Sequence, residues 1–84
     1  MKPISIHTDY IKLNQFLKWA NAVSSGAHAN RMILDGLVSV DGEIENKRGK
    51  KIFPGNCVEV KGVGSYLVVR EGSAGLASNR ISPE

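Results

Sequence analysis

The stretch VSVDGEIE, residues 38–45, narrows the folding problem more than any other part of the chain. The type I′ turn of a two-residue hairpin needs left-handed backbone at both central positions, and Asp-Gly is one of the few pairs that supply it. Asp41-Gly42 between the VSV and EIE segments therefore predicts a tight hairpin. On the outgoing strand Val38 and Val40 share one side, and the return strand is expected to turn Ile44 inward. A lone hairpin is marginal in water, so other elements must cover its apolar side.

Those elements lie upstream. ISIHTDYI, residues 4–11, is rich in β-branched and aromatic types and is expected to run extended. In KLNQFLKWANAV, residues 12–23, Leu13, Phe16, Leu17 and Ala20 recur at i, i+3, i+4 and i+7. That spacing is one stripe of a helix, with Lys12, Gln15, Lys18 and Trp19 off it. SSGAHANRMILDG, residues 24–36, reads as a second helix. Ser25 is its N-cap candidate, Ala29, Met32 and Ile33 its inward face, and Gly36 the left-handed residue that ends it.

Downstream, Pro54-Gly55-Asn56 is a turn, and CVEV follows with Val58 and Val60 in phase. KGVGS turns again before a last strand, YLVV; its GVG lacks both the Lys-Ser/Thr and the strand-to-helix setting of a phosphate loop. Residues 71–84 are small and polar without periodicity and read as a loose tail after a single domain, residues 1–70. The expected architecture is α+β, with two helices packed on one face of a small antiparallel sheet.

Eighty-four residues leave room for one such domain, and 42% hydrophobic with 23% charged residues keeps it clear of the disordered regime. Cys57 is the sole cysteine. Neither a disulfide nor a Cys/His metal site supports the domain, which must stand on packing, and the setting expected is reducing and cytoplasmic. No run of about 18 apolar residues occurs, and MKPISIHTDYIK lacks the apolar core of a signal peptide, so no membrane partner is expected. Nor is catalysis: His7 and His28 fall in separate elements, and Asp41, Glu43 and Glu45 alternate along a hairpin where exposure is the rule. No cofactor and no metal are expected, and a lone His28 reads as a surface or cap residue.

The charge distribution is less ordinary. Of eleven Lys and Arg residues, Lys47, Arg48, Lys50 and Lys51 fall within five positions, in a chain of net charge +3. By itself such a run is as readily a solvated edge as an anion-binding wall. Arg31 likewise has a local partner in Asp35, four residues on.

The ordered pattern KLNQFL, then SSGAHANRMILDGLVSVDGE, then KKIFPGNCVEV resembles an RNA-binding domain first seen in small-subunit ribosomal protein four, the S-four domain or alpha-L motif. Lys12, Leu13, Phe16 and Leu17 match its first block. Ser25, Ala29, Met32, Ile33, Gly36, Val38, Val40 and Gly42 fall in register with the second, and Gly55-Asn56 with Val58 and Val60 match the third. The overlap spans roughly residues 11–61, and the short SSGAHA-bearing chain is similar to the small stand-alone, YaaA/YbcJ-like branch.

The resemblance implies a non-catalytic module that grips structured RNA, ribosomal RNA first and transfer RNA second, in association with the ribosome. Carried over by position, the RNA-binding residues are Lys12, Ser25, His28, Arg31 and the cluster Lys47, Arg48, Lys50 and Lys51. The chain departs from the family pattern at Gly26, where arginine is common, and at Asn30, where lysine is frequent. Helix N-termini suit phosphate, clustered cations release counterions, and A-form RNA offers backbone shape more readily than base edges. The competing reading is a protein adaptor of the same fold that docks through the helix face around Trp19 and Leu34, and duplex DNA is a third ligand to be tested.

Overall fold

A computed structural model of the chain describes residues 1–71. The elements run β1 (Lys2–Ile6), β2 (Ile11–Lys12), α1 (Leu13–Trp19), α2 (Gly26–Leu34), β3 (Val38–Val40), β4 (Glu43–Ile44), β5 (Lys51–Ile52), β6 (Cys57–Val60) and β7 (Gly64–Arg70). Five strands form one sheet in the order β1-β7-β6-β3-β4, while β2 and β5 make a separate antiparallel pair. The α+β class is the one the sequence implies. The sheet is mixed, however: β1 joins parallel to β7, and every other pairing within it is antiparallel. The extended stretch 4–11 is thus split between β1 and β2. Of the expected tail, Glu71 is described, its N–H donating to the Ile6 carbonyl at 2.9 Å, and residues 72–84 lie outside the described range.

The local signals act as their chemistry requires. Ser25 caps α2, its side chain accepting from the His28 N–H at 3.1 Å. Both helices end in the same two-bond motif. At α1 the N–H groups of Asn21 and Ala22 reach the carbonyls of Lys18 and Leu17, with Asn21 at φ 60°. At α2 Gly36 and Leu37 reach Ile33 and Met32, with Gly36 at φ 75°. Asp41 and Gly42 both have positive φ, 52° and 88°, as the type I′ turn of a two-residue hairpin demands.

Register then decides the faces. Val38 and Val40 lie opposite Val60 and Val58, and Val58 lies opposite Tyr66, so these residues share one side of the sheet. All are buried, together with Ile6 and Val68 from the outer strands and Leu13, Phe16, Leu17, Ala29 and Ile33 from the helices. One face is packed and the other carries Ser39, Glu59, Ser65 and Leu67, none of them buried. Ile44 belongs to that second face. Its partner is Ser39, and it is 69% exposed, contrary to the inward placement expected. The two-residue turn fixes Val40 opposite Glu43, so the next residue along must share the outer side with Ser39.

Candidate nucleic-acid interface

Residues 45–50 leave β4 as an exposed or half-buried loop, which is nevertheless pinned at both ends. A turn closes it through the Lys50 N–H to the Lys47 carbonyl at 3.1 Å, and the Glu45 carboxylate accepts from the Lys47 backbone N–H at 3.1 Å. The carbonyls of Lys50 and Arg48 accept from the N–H groups of Leu13 and Asn14, at 2.8 and 3.0 Å. The loop therefore caps α1. Where the sequence implies free donors for phosphate at the start of both helices, two of the first N–H groups of α1 are already occupied, so the first helix offers fewer backbone donors there.

That pinning gathers cations. Lys12 is the Cα partner of Lys51 in the β2–β5 pair, and Lys47, Arg48 and Lys50 follow on the adjoining loop, all exposed. The Lys51 ammonium lies 4.9 Å from the centre of the Tyr10 ring. On the other flank a cleft of about 360 Å³ separates the loop from α2, lined by Asn30 and Leu34 on the helix and by Lys47 and Arg48 opposite. The Asn14 side-chain amide donates to Asn30 Oδ1 at 3.2 Å, tying α1 to α2 beside that cleft. Among the described residues, the ion pairs join His7 to Glu71, Arg31 to Asp35 and Arg70 to Asp9, and none engages Lys12, Lys47, Arg48, Lys50 or Lys51.

Five of the eight residues singled out in the sequence thus meet: Lys12, Lys47, Arg48, Lys50 and Lys51. Ser25 sits at the start of α2, about 7 Å along the axis from Asn30 at 1.5 Å per residue, and His28 about 3 Å from it. Arg31 is turned to its own helix, its Nε donating to Asp35 at 3.1 Å. Lys18, which the sequence reading did not single out, lies beside α2. A Cβ placed on Gly26 would lie 3.9 Å from Lys18 Cδ, so the Lys18 stem runs over the first turn of α2. With Asn14 meeting Asn30 and Lys18 meeting Gly26, the helices run antiparallel and Lys18 reaches the position where the family pattern carries arginine. No sequence signal sets Lys18 apart, because its approach to Gly26 joins two separate elements.

Comparison with known families decides the kinship. The model of the S4 domain matches residues 4–69. The chain belongs to the S4-domain family. The match extends the region of resemblance at both ends, taking in most of β1 and most of β7. A similar protein of Bacillus subtilis (strain 168), described as a probable ribosome maturation protein RlbA, is 45% identical over 67 residues, which are 80% of this chain and 94% of the relative. Against the S4 pattern, this domain keeps the capping serine and the apolar frame, lacks basic residues at 26 and 30, and sets Lys18 beside the first of those positions.

Proposed function

We propose that this S4 domain is a non-catalytic module that binds structured RNA, ribosomal RNA in the first place and transfer RNA in the second, through backbone charge and shape. The observation that carries this reading is the cluster of five cations, Lys12, Lys47, Arg48, Lys50 and Lys51, held together by main-chain bonds to α1 and engaged in no ion pair among the described residues. A solvated edge needs no such anchoring. Ser25, His28 and Arg31 lie on α2 outside that cluster, and their part in RNA binding rests on the family pattern alone. The ribosome-maturation description of the Bacillus relative supports the same reading, and with it action on the ribosome in a cytoplasmic setting. Among the described residues no helix is long and apolar enough to cross a membrane, and no group of His, Cys, Asp or Glu is arranged to hold a metal.

Binding to ribosomal RNA across a salt series tests the proposal. Each phosphate neutralised on a duplex contributes about 0.9 to the slope of log K against log salt, and on a single strand about 0.7. Five contacts therefore predict a slope of about −3.5 to −4.5. Changing Lys47, Arg48, Lys50 and Lys51 together to glutamate should abolish most of it. Salt-insensitive binding, untouched by those changes, would leave the adaptor reading centred on Trp19 and Leu34, and equal competition by duplex DNA would remove the preference for RNA.

A further inference from the structure

We propose that the groove between the β1–β2 connection and α1 seats one unpaired base of the bound RNA, stacked against Trp19. This rests on the RNA-binding reading and adds to it a single-stranded element that backbone recognition alone does not require. The groove has a volume of about 770 Å³, within the usual range for small-molecule sites, and is lined by Trp19, His7, Tyr10, Lys12 and Gln15 among others. Trp19 is 53% exposed, and its position is fixed: the indole N–H donates to the Ser5 carbonyl at 2.6 Å, and the His7 ring stands 5.9 Å away at 70° to it. An exposed indole held in one orientation is pre-organised for stacking on a base, a contact that tolerates any base because each has a π-face.

Charge continuity selects the occupant. Lys12 belongs at once to this groove and to the cation cluster, so a strand leaving the cluster meets the groove without a break in positive charge. The acid on the wall, Asp9, accepts from Arg70 at 2.8 Å and is offset there. Gln15 supplies an amide, donor and acceptor together, for the edge of a base.

The chain has one tryptophan, so its fluorescence reports on this groove alone. The experiment titrates the full chain with an RNA hairpin, blunt or bearing a three-nucleotide extension at either end. One extension is expected to quench the fluorescence and tighten binding about fivefold to hundredfold over the blunt hairpin. Trp19→Leu should erase that gain while leaving hairpin binding and its salt slope intact, and Tyr10→Leu should reduce it. A hairpin that binds in a salt-dependent way, with neither extension quenching nor tightening, overturns the groove and leaves the RNA reading standing. Equal quenching by the blunt hairpin overturns it too, since Trp19 would then lie against duplex. Absence of binding by every hairpin overturns both. Should Trp19→Leu fail to fold, the wild-type titration alone still separates these outcomes.

Discussion

Lys12 and Lys51 stand directly opposite each other in the two-residue ladder of β2 and β5. Like charges at such a position oppose folding, by an amount comparable to the roughly 0.2–1 kcal/mol that an opposite pair contributes. An anion bound between them reverses the sign. Lys12→Glu should therefore raise thermal stability by a few degrees, given about 4–8 °C per kcal/mol for a domain of this size, while weakening RNA binding. Thermal unfolding followed by circular dichroism, beside a binding titration, separates the two. A lower Tm accompanying the lost affinity would mean that Lys12 supports the fold and that the opposition carries no functional meaning.

Asp41 offers the converse, a residue expected to matter for stability alone. It adopts φ 52°, and its carboxylate accepts from the Cys57 N–H at 2.8 Å and the Asn56 amide at 2.7 Å, joining the hairpin turn to the start of β6. Hydrogen bonds to a charged group contribute about 1.5–3 kcal/mol, and alanine is further penalised in left-handed backbone. Asp41→Ala should cost at least that much in a urea unfolding experiment. The salt slope of RNA binding by the remaining folded protein should not move; a changed slope would place Asp41 at the RNA surface.

What the sequence discloses and what it hides divide by range. Ser25, Gly36, Asp41-Gly42 and Pro54-Gly55 declare themselves because each answers a demand made by its own backbone. Partnerships between distant segments are silent. Nothing in residues 2–6 announces a parallel join to β7, and nothing in the basic loop announces that its carbonyls cap α1. Periodicity flags Leu13, Phe16 and Leu17 as core, yet it treats every off-stripe position alike. Lys12 opposite Lys51 and Lys18 beside Gly26 are thereby left indistinguishable from simple solvent-facing residues.

Ile44 shows the same limit within a hairpin whose turn is legible. Alternation gives two faces but not which one is covered, and the register with Ser39 sends Ile44 outward. Its replacement should accordingly be nearly silent. Ile44→Thr is expected to shift stability by less than about 0.5 kcal/mol, as for surface positions generally, whereas Ile33→Ala in the core should cost about 2–5 kcal/mol. Urea midpoints for both variants check this. A core-sized loss at Ile44 would reveal a covering element on the outer face.

Lys18 and Gly26 allow an exchange of charge between helices to be tested directly. Lys18 lies in the last turn of α1, where a cation also complements the helix dipole, so a structural role has to be separated from an RNA contact. Where Lys18 adds a sixth phosphate contact to the five of the cluster, Lys18→Gln should reduce the magnitude of the salt slope by about 0.7–0.9, one phosphate's share. Adding Gly26→Arg should restore it, because Gly26 is helical and a Cβ there would meet Lys18 Cδ at an ordinary 3.9 Å. The arginine would then project its charge over the same turn of α2 from the opposite helix. If Lys18→Gln lowers Tm but leaves the slope unchanged, Lys18 serves α1 alone. A slope that falls and is not recovered by the arginine would show that the cation must come from α1, its reach being set by the antiparallel crossing of the two helices.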